Sequence, residues 1–167
     1  MTEQPWLTHV DESGAARMVD VTAKDVTVRT ATATGRVLVA RSVVDLLRAG
    51  AVPKGDVLAV ARIAGIQGAK RTPDLVPLCH PIAVHGVAVE LSVADDAVMI
   101  SATVRTADRT GVEMEALTAV TVAALTVVDM VKAVDPAAVI SDVRVEEKTG
   151  GQSGHWQRSA GGQADER

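Results

Sequence analysis

Side chains suited to proton transfer occur first in a proline-rich loop. Cys79 and His80 lie between Pro77 and Pro81, so a stiff backbone presents both side chains. A histidine held in this way can exchange a proton near neutral pH, and a structural histidine bonded to the backbone is an equally open alternative. Cys79 is better interpreted as a small buried hydrophobe than as a nucleophile, because no Ser-His-Asp or Cys-His-Asn arrangement accompanies it.

Further ionisable residues lie at both ends of one apolar segment. Ala116–Val128 is uncharged and has no polar face, so a helix here must be covered on nearly all sides. Glu113 and Glu115 precede this segment, and Asp129 and Lys132 follow it. An ion pair at i,i+3 would explain the last two structurally. Charges at the end of so buried a helix are costly unless a site uses them, and we therefore predict a functional role for the pair.

Basic residues are concentrated locally in an acidic chain. The sequence has 17 Lys and Arg against 21 Asp and Glu, yet Lys54–Thr72 holds four basic residues and one acidic residue. Gly55 follows Lys54 at a predicted helix N-terminus, where backbone N–H groups attract anions. Lys148 opens the glycine-rich segment 148–154, which lacks P-loop spacing. We interpret these residues as a phosphate-binding set, and a solvated helix face with a mobile linker is the alternative.

Composition excludes several classes of protein. A chain of 167 residues with net charge −4 suits one globular domain and argues against a general nucleic-acid binder. Without Phe or Tyr, and with Trp6 and Trp156 near the termini, the domain body cannot stack on bases. A single cysteine excludes disulfide frameworks and Cys-rich metal sites. The N-terminus lacks the features of a secretory signal, and the apolar segment is shorter than the roughly 20 residues that span a bilayer. We expect a soluble cytoplasmic protein that binds neither nucleic acid nor membrane.

The patterning predicts the elements that position these residues. Interior glycines Gly65 and Gly68 indicate the close approach of another backbone to their helix. Helices are predicted at Ser42–Ala49 with Ser42 as cap and Gly50 as stop, at Asp56–Lys70, and from a Thr110–Glu113 capping box to Val134. Thr72–Pro81 is predicted to be a loop because it contains three prolines. Strands are predicted at Met18–Val21, at Thr27–Ala40 as two strands with a turn at Gly35–Arg36, and at Val84–Val93, Val98–Val104 and Val139–Glu147.

These elements predict an α+β sandwich with one antiparallel sheet and helices on one face. The polar, aperiodic residues 1–16 are interpreted as an N-terminal arm. Residues 17–149 are interpreted as a single catalytic domain, and residues 150–167 as a flexible Gly-rich C-terminal tail.

Taken together, the motifs resemble the cyclic pyranopterin monophosphate synthase family of molybdenum cofactor biosynthesis. The resemblance rests on Leu7–His9, Met18–Val21, Lys54–Val57, Ala61–Gln67, Ala69–Thr72, Pro77–Pro81, Thr110–Thr118 and Asp129–Val134, in this order along the chain.

The resemblance implies a lyase with a ferredoxin-like α+β subunit, assembled as a homohexamer (a trimer of dimers) with its active site at the dimer interface. The implied reaction converts (8S)-3',8-cyclo-7,8-dihydroguanosine 5'-triphosphate to cyclic pyranopterin monophosphate and releases diphosphate. We expect no required cofactor and no metal ligand in the protein, whatever Mg²⁺ accompanies the phosphates.

The resemblance also implies the site residues. Asp129 is the implied active-site residue, and together with Lys132, Lys54 and His80 it forms the predicted catalytic set. The predicted substrate-binding residues are Leu78, Cys79, His80, Met114, Glu115, Glu113, Lys70, Arg29 and Lys148. The chain departs mildly from the family pattern at two positions. A Lys is common where this chain has Gln152, and a Cys or another residue is common where it has Val131.

Helix geometry adds a constraint on these residues. Glu115 and Asp129 are 14 positions apart, which corresponds to about 21 Å along a straight helix. If both serve one site, a second copy of the helix must run antiparallel beside the first, as a two-fold dimer allows.

Two other functions fit the sequence. A non-catalytic ferredoxin-like module that binds a small ligand and regulates a partner would need no acid–base residues. A different nucleotide-processing lyase or hydrolase on this scaffold would act on plain GTP.

Overall fold

The fold consists of a sheet with a layer of helices on one face. In the computed structural model, which describes residues 10–11 and 13–159, the elements are β1 (Thr27–Leu38), α1 (Arg41–Ala49), α2 (Val57–Lys70), α3 (Thr72–Leu75), β2 (Val84–Val93), β3 (Ala97–Asp108), α4 (Glu113–Val131), β4 (Val139–Thr149) and β5 (Trp156–Gln157). The Leu7–His9 motif lies outside the described residues, as do most of the predicted arm and residues 160–167.

The sheet is antiparallel throughout, with strand order β2-β3-β1-β4-β5. Along the central strand β1, buried Ala31, Ala33 and Val37 alternate with less buried threonines, as a sheet with one covered face requires. Helices α2 and α4 cover the buried face, which confirms the predicted α+β, ferredoxin-like arrangement.

Helix α4 is the central element of the core. Ala116, Ala119, Val120 and Val127 are fully buried, and the small side chains bring α2 and the sheet close. A Cβ on Gly65 of α2 would lie 2.9 Å from the backbone oxygen of Ala119, so the predicted close approach is confirmed and the neighbour is α4. Among the described helices, α4 alone is long and apolar enough to cross a membrane. More than half of its apolar stretch is buried inside the protein, as in an ordinary core helix.

Two strand predictions were wrong. Gly35 does not make a turn, and β1 runs through it without interruption. A Cβ there would lie 2.8 Å from Cγ1 of Val120, so the glycine serves the packing of α4 on the sheet. Met18–Val21 forms no strand and has no regular secondary structure. Its alternating pattern is too short to identify a strand when no neighbouring strand pairs with it.

Several helix boundaries were also wrong. Gly50 ends α1 as predicted, in a left-handed conformation, but Ala40 rather than Ser42 precedes α1 and no side chain caps it. Asp56, predicted as the first residue of α2, instead precedes that helix and caps it by accepting a hydrogen bond from the Ala59 N–H. The predicted loop begins with the short helix α3, since Pro73 fits a first helical turn. Strand β5 was not predicted.

The ends of α4 differ from the prediction. Val112 precedes the helix without a side-chain cap, so the Thr110–Glu113 capping box does not form. The helix ends at Val131, three residues before Val134. The chain continues as a turn in which the N–H groups of Val134 and Asp135 both donate to the Val131 carbonyl.

Candidate active site

A cavity of about 410 Å³ opens at the N-terminal end of α4. Six of the predicted site residues line it together: Leu78, Cys79, His80, Glu113, Met114 and Glu115. They come from two places in the sequence, the proline-rich loop and the first turn of α4. The remaining lining residues were not predicted to belong to the site: Val19, Val21, Lys24, Thr110 and Gly111.

His80 is fixed by the backbone of the segment Met18–Val21. Its Nε2 lies 2.6 Å from the carbonyl oxygen of Val19. Because a carbonyl can only accept, Nε2 must carry the proton in this contact, which leaves Nδ1 as an acceptor in the neutral ring. The structural interpretation of His80 is confirmed, because its ring is bonded to the backbone. Its role in proton exchange stays a prediction, and its position in the cavity wall is compatible with that role.

Glu115 is the most buried acidic residue of the cavity. Its residue exposure is 3%, and its carboxyl makes no side-chain hydrogen bond or ion pair within the described residues. Burial, and to a lesser extent the nearby charge of Glu113, raise its pKa from 4.5 to about 7. A carboxyl with this pKa exists in both protonation states at neutral pH and is suited to general acid–base catalysis.

Cys79 does not have the properties of a nucleophile. Burial, and then the neighbouring Glu115, raise the pKa of its thiol above the ordinary value. The thiol therefore remains protonated at neutral pH, in agreement with its interpretation as a small hydrophobe.

A smaller recess of about 180 Å³ adjoins the cavity and shares Gly111 and Glu113 with it. Arg29 and Lys148 line this recess, and Lys148 Nζ lies 2.9 Å from Oε1 of Glu113. This ion pair takes the place of the capping role predicted for Glu113. The two predicted basic residues therefore lie beside the cavity.

The glycine-rich segment packs directly over Arg29. Gly150 and Gly151 have φ angles of +91° and +72°, which favour glycine. A Cβ on Gly150 would collide with the Val28 carbonyl, and one on Gly151 would collide with the Arg29 guanidinium. A side chain at either position would therefore be strained and would displace the chain or the Arg29 side chain.

A second group of predicted residues lies at the other end of α4. Lys132 Nζ is 2.7 Å from Oδ1 of Asp129, and Lys54 Nζ is 3.2 Å from Oδ2. Hydrogen bonds from Lys132 and then from Lys54 lower the pKa of Asp129 below its ordinary value, so the carboxylate is ionised at neutral pH. The Asp129 side chain is 59% exposed, so the argument from the cost of burying these charges was wrong.

The structure therefore divides the predicted site into two groups on one chain. Glu115 and Asp129 lie at opposite ends of the same helix. Lys70 lies exposed in the last turn of α2, and no hydrogen bond or ion pair of the described residues joins its ammonium to either group. Among the same residues, no three His, Cys, Asp or Glu side chains cluster as metal ligands.

Comparison with known proteins identifies the family. The sequence model of the MoaC family matches residues 18–151. The chain is 77% identical over 156 residues to the cyclic pyranopterin monophosphate synthase of Streptomyces coelicolor, covering 93% of this chain and 92% of that protein. It is 72% identical over 155 residues to the synthase of Nocardioides sp., covering 91% and 95%. It is 60% identical over 153 residues to synthase 3 of Mycobacterium tuberculosis, covering 91% and 86%. The chain therefore belongs to the MoaC family, as its motifs indicated.

Proposed function

We propose that this protein is a cyclic pyranopterin monophosphate synthase of molybdenum cofactor biosynthesis. It converts (8S)-3',8-cyclo-7,8-dihydroguanosine 5'-triphosphate to cyclic pyranopterin monophosphate and releases diphosphate. The observation that supports this most strongly is the cavity in which His80, Met114 and Glu115 meet. We place the activity in the cytoplasm.

The cavity contains groups for the proton transfers of the ring rearrangement. Forming a pterin from a purine-derived ring moves protons on and off nitrogen and oxygen. Glu115, with a pKa of about 7, can donate or accept a proton at neutral pH. His80, held through Nε2, retains Nδ1 as an acceptor.

The basic residues meet the needs of the phosphate chemistry. Closing a cyclic phosphate requires a hydroxyl to attack phosphorus while diphosphate leaves, so positioning and charge neutralisation dominate. Asp129 holds the ammonium groups of Lys54 and Lys132 side by side, and two adjacent cations suit a phosphate chain. No cofactor bound to the protein takes part in this proposal.

A site shared between two subunits would unite the two groups. The ends of α4 are too far apart for one small substrate to reach both on one chain. An antiparallel α4 from a second copy would bring Glu115 of one subunit beside Asp129 of the other. Leu125 of α4 and Ile63 of α2, which are 55% and 59% exposed, offer apolar surface for such a contact. We propose a two-fold dimer on this surface as the unit of a hexamer.

Subunit mixing tests the shared site. Glu115→Ala and Asp129→Ala proteins, each inactive alone, are combined under conditions of subunit exchange. Random exchange gives half mixed dimers, each with one intact site of two, so about a quarter of wild-type activity should return. Each variant taken alone through the same procedure is the control. An inactive mixture, with exchange demonstrated by differently tagged subunits, would refute the shared site.

Product detection tests the reaction itself. Purified protein, desalted from EDTA, is incubated with the cyclised triphosphate, and the pterin product and diphosphate are measured. Diphosphate release from plain GTP would instead support a different nucleotide-processing enzyme. A regulatory module would show no turnover with either substrate.

A further inference from the structure

Lys24 is a lysine of the cavity wall that the predicted site does not include. The chain has five lysines, and Lys54, Lys70, Lys132 and Lys148 all belong to the predicted site. Lys24 lines the same cavity as His80 and Glu115. The basic residue that shares the cavity with the acid–base groups is therefore one that the motifs did not assign.

The segment that carries Lys24 is held in place although it forms no helix or strand. Oδ1 of Asp20 accepts hydrogen bonds from the backbone N–H and the hydroxyl of Thr22, at 2.9 and 2.7 Å. The backbone N–H of Lys24 donates to the Val21 carbonyl at 3.0 Å. These local bonds form a compact turn, which fixes the direction of the chain at Lys24.

Two long-range hydrogen bonds attach this turn to the site. One joins the carbonyl of Val19 to His80, as described above. The other runs from Nε of Arg109, in the loop before α4, to the carbonyl oxygen of Lys24 at 2.9 Å. The backbone of Lys24 is thereby anchored to the loop that leads into Glu113 and Glu115.

The charge of Lys24 is available to a ligand. Lys54, Lys132 and Lys148 each already contact a carboxylate. The ammonium of Lys24 has no hydrogen bond or ion pair within residues 10–11 and 13–159. The cavity also contains Glu113 and Glu115, which would repel an anion. An anionic substrate entering this cavity therefore needs a cation in the cavity wall, and Lys24 is the lysine that lines it.

We propose that Lys24 is a further substrate-binding residue whose ammonium binds a phosphate oxygen of the triphosphate. Arg109 acts as a positioning residue, because it holds the backbone of Lys24 and does not itself line the cavity. This inference rests on the proposed function for the identity of the anion.

Kinetics with inorganic pyrophosphate as a competing anion test the role of Lys24. Lys24→Gln should raise KM and the inhibition constant of pyrophosphate together, by about tenfold, while kcat stays within about twofold. Lys24→Arg should keep both constants within about threefold of wild type. The control is Arg48→Gln, which removes a cation paired with Asp95 beside the β2–β3 hairpin, at the far end of the sheet, and should change neither constant.

The variants also separate this inference from its alternatives. If Lys24 contacts the ring system instead, KM rises in Lys24→Gln but the pyrophosphate constant does not, and that result overturns the proposal. Equal losses in Arg48→Gln would indicate a general effect of net charge and would overturn it too. Pyrophosphate binding measured by calorimetry reports on Lys24 even if the protein fails to turn over the cyclised triphosphate, so the two failures can be distinguished.

Arg109→Ala tests positioning. Like Lys24→Gln, it should raise KM and the inhibition constant of pyrophosphate. The double variant should bind substrate and pyrophosphate no more weakly than Lys24→Gln alone, because both changes remove the same contact. Additive losses would show that Arg109 acts independently of Lys24.

Discussion

Replacing Glu115 with Gln should stabilise this protein at alkaline pH while impairing its chemistry. Glutamine has nearly the same shape as glutamic acid and cannot ionise. The pKa of Glu115 is raised from 4.5 to about 7 in the folded protein, chiefly by burial. At about 1.4 kcal/mol per pKa unit, ionising this carboxyl in the folded state costs about 3 kcal/mol of stability.

The sign follows from which state binds the proton more tightly. A raised pKa means that the folded protein holds the proton more tightly than the unfolded chain. The stabilisation from the protonated carboxyl is complete below pH 4.5 and disappears as the pH rises through 7. Glu115→Gln retains a neutral side chain at every pH and therefore avoids this loss.

Urea denaturation of wild type and Glu115→Gln at pH 4 and pH 8 measures the effect. The variant should exceed wild type by about 3 kcal/mol at pH 8 and match it at pH 4. Glu113→Gln is the matched control, since it removes an acid of the same helical turn that is paired with Lys148 and should give no stabilisation at pH 8. A stability difference between Glu115→Gln and wild type that is the same at both pH values would refute the reasoning.

Three further outcomes are expected. Lys132→Ala should lower kcat/KM at least about 100-fold. Its free energy of unfolding should stay within about 0.5 kcal/mol of wild type, because the ion-pair partner Asp129 is exposed. An unfolded or fully active variant would contradict the assignment of Lys132 as catalytic. Gly65→Ala should lower the free energy of unfolding by about 1–3 kcal/mol, because its Cβ would meet the rigid backbone of Ala119. Gly86→Ala is the control: the nearest neighbour of its Cβ is 3.9 Å away, so the free energy of unfolding should change by no more than about 0.5 kcal/mol. Inorganic pyrophosphate should compete with substrate, less strongly as salt rises, and a salt-independent inhibition constant would argue against an ionic pocket.

The elements that could be predicted from the sequence are those whose patterns are long. Strands β2 and β3 and helices α2 and α4 have runs of apolar residues that fix their type, and in β2 the alternation of Val87, Val89, Leu91 and Val93 also fixes the buried face. The errors fall where one residue admits two explanations. Gly35 is a turn former by type, and only the position of Val120 on a distant helix shows that it serves packing instead. Glu113 has the spacing of a capping box, but Lys148, 35 residues later, binds its carboxylate.

The candidate site was predictable in part for the same reason. The family motifs place Leu78–His80 and Met114–Glu115 at one site, and the structure brings them to one cavity. Lys24 could not be found in this way, because the alternation of Met18–Val21 suggests a strand and hides the turn that directs the lysine. The sequence motifs also give no sign that Asp129 lies apart from that cavity on the same chain; only the length of the helix indicates it.

The short strand β5 provides an optical probe. Because the chain lacks Phe and Tyr, its near-ultraviolet signal comes only from Trp6 and Trp156. Trp156 is 40% exposed, pairs with Lys148 across β4 and β5, and has the guanidinium of Arg158 5.6 Å from its ring. In a Trp6→Phe background, tryptophan emission would come from a single ring, on the strand residue that pairs with Lys148 of the recess, and would not report on the valine and alanine core. Titration with ligand should therefore change that emission without any label attached to the protein, whereas global unfolding is better followed by far-ultraviolet circular dichroism.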